Sequence, residues 1–260
     1  GGSGTGGSSS GTGGNGGAGG APPAWPTCDA QPANVPSRTI QQIWSDDPAA
    51  PKAVWVPGVY VTAVSSSGCS GGSGCQIFVQ QKETFASVAI GSQQAIKLFA
   101  SPATATHFSA IGVGDQLDIY AHAWRYNVGG QNELLLQVAS NLPGCAKVVG
   151  SGNPKPVTGL SLIDLTVDLY ENSMGPLLIQ IDAVSGSPNN PNQIFALWPA
   201  FKPGTQPLAE ITSLSPYALP NGSFVGLTPN LIHNFTKVVG VFSLFVPPKQ
   251  PVTKYEVLYP

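Results

Sequence analysis

Beyond residue 28, apolar and polar residues alternate over short stretches, the period of a half-buried β-strand. Residues 54–62 (VWVPGVYVT) are rich in β-branched and aromatic side chains, which suit a pleated surface. Residues 76–80 (QIFVQ) and 95–99 (AIKLF) alternate in the same way. Gly114-Asp115 predicts a turn into a long strand over 116–126 (QLDIYAHAWRY). Gly129-Gly130 then predicts a hairpin into 133–138 (ELLLQV). Helix is scarce, and residues 39–44 (TIQQIW) suit either a helical turn or a first strand.

Residues 150–156 (GSGNPKP) read as a boundary loop. Beyond them a similar order recurs. A short helix is expected over 163–170, and strands over 177–184 and 193–198, the latter opening on Gln-Ile-Phe as 76–78 does. A closing hairpin is expected from 235–242 and 254–258. The repeated order is compatible with an internal duplication, which the sequence alone does not decide. An isolated strand pair buries too little surface to stand alone, so each half is expected to close into a small five-stranded barrel. The predicted fold is therefore all-β, with one barrel over residues 28–150 and a second over 151–260.

Residues 1–27 stand apart. The first 21 are almost wholly Gly, Ser, Thr and Asn, a composition that buries nothing and behaves as a flexible tether, and Pro22, Pro23 and Pro26 stiffen its exit. Because the chain begins at Gly1, it reads as processed, with an export signal removed. The tether is similar to the Gly/Ser-rich spacer of bacterial surface lipoproteins. That likeness implies a lipid-bearing cysteine ahead of Gly1.

The first half resembles the oligonucleotide/oligosaccharide-binding (OB) fold, and more narrowly the OB-like domains found beside extracellular endonucleases in secreted bacterial proteins. The likeness rests on Trp55-Val56-Pro57-Gly58-Val59-Tyr60-Val61-Thr62, Ile77-Phe78-Val79-Gln80, Val113-Gly114-Asp115-Gln116-Leu117-Asp118-Ile119, Tyr126 and Asn132-Glu133-Leu134. It covers residues 38–140. The second half matches through Gly175-Pro176-Leu177-Leu178-Ile179 and its closing strands. These motifs are turn and core residues, so they imply a fold more than an activity.

The four cysteines are an even set, which in an exported chain predicts disulfides. Cys69 and Cys75 flank a Ser-Gly-Gly-Ser-Gly stretch that folds back freely, and elimination pairs Cys28 with Cys145. A metal site is the rival reading, but no Cys-x-x-Cys occurs and no histidine is near the cysteines in sequence.

Charge narrows the function classes. Charged residues make up 9% of the chain, against about a quarter in an ordinary soluble domain. Only Arg38 and Arg125 are arginines, too few to favour a phosphate backbone. No nucleophile elbow, phosphate loop or dinucleotide fingerprint occurs. His107, His122 and His233 lie far apart and read as loop or structural residues, and Asp115 reads as a turn residue. No catalytic residue, metal or cofactor is assigned.

The candidate ligand-binding residues are the strand aromatics Tyr60, Phe78, Tyr120, Trp124 and Tyr126, with Arg125. Rings on a barrel face stack on bases or sugars. Alternation places Trp124 and Tyr126 on one face and Arg125 on the other. The expected function is a non-enzymatic extracellular or cell-surface module. It engages a protein or glycan, or packs into a surface assembly. The alternatives are binding of extracellular single-stranded nucleic acid, and an accessory role beside a secreted hydrolase.

Overall fold

The computed structural model describes residues 25–64, 69, 74–85, 93–128, 131–165, 169–189, 194–198, 209–211, 233–245 and 254–258. Most of the expected leader and the Gly129-Gly130 turn lie outside them. The stretch open to helix or strand forms a helix, α1 (Ile40–Asp46). A capping box settles it: Thr39 Oγ1 accepts from the Gln42 N–H at 3.2 Å, and Gln42 Oε1 accepts from the Thr39 N–H at 2.9 Å. The buried stripe Ile40, Ile43 and Trp44 has helical spacing, and Asp47 ends the helix in the left-handed region.

Six strands follow in the first sheet: β1 (Lys52–Val64), β2 (Cys75–Gln80), β3 (Ala95–Ala100), β4 (Asp115–Val128), β5 (Gln131–Val138) and β6 (Cys145–Ser151). Strand β2 pairs antiparallel with both β1 and β3, and β3 runs parallel to β5. Strand β5 pairs antiparallel with β4, and β4 returns to β1, closing a five-stranded barrel. Strand β6 adds to the far edge of β4. Alternation is obeyed: Val56, Val61, Ile77, Leu98, Ile119 and Leu136 fill the interior with no exposed surface.

The barrel turns its corner at Pro57-Gly58, where the register against β4 shifts. Gly58 has φ +64°, donates its N–H to Asp118 Oδ1 at 2.9 Å, and accepts at its carbonyl from Gln116 Nε2 at 3.2 Å. The bulge and its two polar stitches let one long strand serve two neighbours.

The second half carries β7 (Val157–Leu160), β8 (Leu178–Asn189), β9 (Ile194–Trp198), β10 (Ala209–Ile211), β11 (His233–Phe245) and β12 (Lys254–Leu258). Its pairings run β7–β8 parallel, β8–β9 and β9–β10 antiparallel, β10–β12 parallel, then β12–β11 and β11–β8 antiparallel. The helix expected over 163–170 falls partly on residues outside those described, and Leu169 has helical backbone. A single 3-10 turn occupies Leu162–Asp164 and a π turn occupies Tyr170–Met174. Asp164 Oδ2 accepts from both the N–H and the hydroxyl of Ser161, which caps one turn, and extended backbone at Leu165 ends it. The expected boundary loop begins inside β6 and is then stitched to the first barrel: Asn153 N–H donates to Glu83 Oε1 at 2.6 Å and Lys155 N–H to the Glu83 carbonyl at 2.7 Å.

One apolar cluster runs through both halves. It joins Ile40, Trp44 and Ile96 to Tyr170, Ile179 and Phe242. Tyr170 meets the rings of Trp44 and Phe242 edge-on at 6.2 and 5.4 Å. Gly175, at φ +60°, makes this approach feasible, since a β-carbon there would lie 2.5 Å from the Ala95 carbonyl oxygen.

Both expected disulfides form. Cys28 and Cys145 are bonded with Cα atoms 5.7 Å apart, and Cys69 and Cys75 with Cα atoms 4.8 Å apart. The first lies with Trp55 in its own buried cluster, against Val35 and Tyr120. Residues 36–38 hydrogen-bond to Trp55 from both sides of its peptide unit, so the segment before α1 is strapped over β1.

Candidate functional site

Strand β4 is long enough to face two environments. Its inward residues Leu117, Ile119, Ala121 and Ala123 are buried in the barrel. Its outward residues include Tyr120, His122, Trp124 and Tyr126, all partly exposed. With about 3.4 Å per residue, these four rings form a row roughly 20 Å long. Trp124 and Tyr126 meet edge to face at 5.3 Å, and Tyr120 and His122 lie 5.9 Å apart at 49°. Trp124 Nε1 donates to Gln137 Oε1 at 2.7 Å, which fixes the indole against β5. Packing against the Trp55 and Cys28–Cys145 cluster holds Tyr120 at the other end.

His122 was legible in sequence only as a structural or surface histidine, yet it stands within this row. Its Nδ1 is buried without a hydrogen-bond partner, and burial holds the imidazole below its ordinary pKa. The ring is therefore predominantly neutral at physiological pH.

Three candidate residues have other surroundings. Phe78 is only 1% exposed and lies with Ala63 beneath Leu178 and Val241 of the second half. Alternation points Phe78 away from the barrel interior, but the second half covers that face. It is thus a packing residue rather than an exposed ring. Arg125 faces away from the ring row, as alternation predicts. Its Nε donates to Asp47 Oδ1 at 2.6 Å and its Nη1 to Glu171 Oε2 at 3.2 Å. Those bonds tie β4 to the end of α1 and to the π turn. Tyr60 is partly exposed but separate from the row: it pairs with Gln116 and lies beside Gly152.

The charges beside the row are also paired. Lys147 donates to Asp29 at 2.8 Å near the Tyr120 end, and Lys97 is ion-paired with Glu133, which faces Tyr126 across the β4–β5 ladder. Glu133 in turn accepts from the Tyr170 hydroxyl at 3.3 Å. Burial raises the Glu171 carboxyl, an effect that Arg125 opposes. Asp118 serves the Gly58 bulge, and Asp115 accepts from the Gly112 N–H at 2.8 Å as a turn residue should.

His107 stacks face to face on Trp25 at 4.6 Å. His233 pairs through its backbone with Gly186, and Trp198 with Ser185; their side chains lie outside those described. No group of three or more His, Cys, Asp or Glu arranged to hold a metal occurs among the described residues. No described helix is long and apolar enough to cross a membrane. No protein-family model matches the chain, and no curated protein matches it.

Proposed function

We propose that the chain is a non-enzymatic binding or structural module of the cell exterior. It works from an OB-like first barrel and a second barrel of the same plan, behind the Gly/Ser-rich leader. The ring row on β4 carries this reading. It is an outward surface built to stack, while the neighbouring carboxylates and cations are engaged in holding the fold.

Strand order supports the OB-like assignment. The circuit β1-β2-β3-β5-β4-β1, with β3 and β5 parallel, is a Greek-key barrel. The second half supports a matching plan: β8, β9, β10, β12 and β11 pair in the same circuit, with β10 and β12 parallel. The Ile-Phe of the Gln-Ile-Phe echo falls on β2 and β9, which hold corresponding places in the two circuits, as a duplication requires, while Gln193 lies outside the described residues. The disulfides fit an oxidising compartment. The leader suits a spacer, with a lipid anchor ahead of it in the surface-lipoprotein reading.

The partner in this reading is a surface protein, a glycan or further copies of the chain. Single-stranded nucleic acid is disfavoured for two physical reasons. Lys97, Lys147 and Arg125 are already paired, and the outward β2 side chain Phe78 is covered by the second half. Nucleic-acid binding by an OB fold uses its β2–β3 face and free cations.

The test is incubation of the full chain with intact cells and cell-wall material of its source, beside a hydrolysis screen on nucleic acids and polysaccharides. Saturable surface binding without turnover is expected. Turnover that scales with enzyme concentration, and survives repurification, would replace this reading with catalysis.

A further inference from the structure

We propose that the outward face of β4, from Tyr120 through His122 and Trp124 to Tyr126, is a binding platform for a neutral saccharide chain. This names the ligand class for the exterior module inferred above and rests on that reading.

Three observations carry it. The first is form. Four rings lie on one side of one strand, and two of them are immobilised: Trp124 by its bond to Gln137, and Tyr120 by the disulfide-backed cluster with Trp55. Fixed rings lose little conformational entropy when a ligand arrives, so more of the contact energy appears as affinity.

The second is charge. Each cation next to the row is neutralised by a partner: Lys147 by Asp29, and Lys97 by Glu133. Arg125 faces the other way and holds Asp47 and Glu171. The face therefore attracts neither phosphates nor uronates. Its remaining polar groups are an imidazole, the Gln137 amide and two tyrosine hydroxyls.

The third is the match between the two surfaces. A neutral pyranose presents an apolar face of C–H groups and a rim of hydroxyls. Aromatic rings with polar tips complement both, and burying such rings contributes apolar area together with a hydrogen-bonding handle. A purely apolar protein partner would leave the tyrosine hydroxyls and the histidine unsatisfied, which costs free energy. A nucleic acid would meet no free cation.

The experiment uses the full chain with its disulfides intact. Binding is measured by sedimentation with insoluble cellulose, chitin and β-1,3-glucan, and by calorimetry with their soluble oligosaccharides. At least one neutral glycan is expected to bind, with Trp124→Ala and Tyr126→Ala each weakening it at least about tenfold. Trp124→Phe keeps a ring and should retain most of the affinity, and it serves if Trp124→Ala fails to fold. Ile163→Ser, at an exposed site in the second half, should bind as the parent does. Affinity should be flat between about 50 and about 200 mM salt, a range over which binding through about six to ten phosphate contacts falls ~10³-fold or more.

Absence of binding to every neutral glycan, or glycan binding that survives Trp124→Ala and Tyr126→Ala in folded variants, overturns the proposal. Preference for an oligonucleotide or acidic glycan, with a steep salt dependence, overturns it equally. Retained binding to intact cells alongside either failure would sink the saccharide platform and leave the exterior-module reading standing.

Discussion

Phe78→Ala separates two pictures of the first barrel. As an outward ring on an open sheet face, Phe78 would cost little to remove, within about 0.5 kcal/mol as for other surface changes. In the structure it is 1% exposed, enclosed by Ala63, Leu178 and Val241, with Lys97 opposite it on β3. Truncation there removes nearly a whole buried ring and leaves a cavity between the two halves. Comparable buried Phe→Ala changes cost about 3–5 kcal/mol. The lower part of that range fits a site where only a few side chains close over the ring. The assay is urea unfolding of the full, oxidised chain, with the slope checked so that the midpoint shift reports stability. A double-mutant cycle with Leu178→Ala adds a second reading, since residues in contact couple by about 0.5–3 kcal/mol. A loss below about 1 kcal/mol, together with additivity in the cycle, would refute the packing of the second half on this face.

The remaining predictions concern crosslinks, backbone and pH. Cys28→Ser/Cys145→Ser opens a loop with a sequence separation of 117, and the chain-entropy model puts the loss at about 5 kcal/mol; Cys69→Ser/Cys75→Ser, with a separation of 6, should lose about 2, both read by denaturant unfolding. Gly175→Ala sets a β-carbon 2.5 Å from the Ala95 carbonyl at φ +60° and should lower the melting temperature clearly, whereas Gly159→Ala, at φ +80° with nothing within 4 Å, should cost only the left-handed backbone penalty of about 1–2 kcal/mol. His122 has a folded pKa below its unfolded value, so its contribution is full above the unfolded pKa of about 6.5 and is lost as pH falls through the folded one. Melting curves at neutral and mildly acid pH should therefore show a smaller acid loss in His122→Phe than in the parent; an equal loss would place the titration elsewhere.

Much of the architecture was legible one-dimensionally because its causes are local. Alternation at residues 76–80 and 95–99 marks β2 and β3, and the Thr39–Gln42 capping box explains why α1 wins over a first strand. The cysteines were also readable, since a short glycine-rich loop favours Cys69 with Cys75 and leaves a single further pair. Period-two reasoning placed Trp124 and Tyr126 together and Arg125 opposite, and they lie so. Strands β6, β7 and β10 were not legible. They are short, and each is fixed by pairing with other strands: β6 with β4, β7 with β8, and β10 with β9 and β12.

Alternation along a strand determines which residues share a face, because successive side chains point to opposite sides. It carries no information about what covers that face, which depends on contacts made far away in sequence. Phe78 and Trp124 look alike in sequence, each an aromatic on an amphipathic strand. Leu178 and Val241 bury the first, and the second stays at the surface, hydrogen-bonded to Gln137. Likewise Arg125 reads as a ligand contact until Asp47 and Glu171 arrive from other elements to neutralise it. The longer strands and the crosslinks follow from the sequence itself. Which rings remain free to meet a partner follows only from how the second half settles on the first.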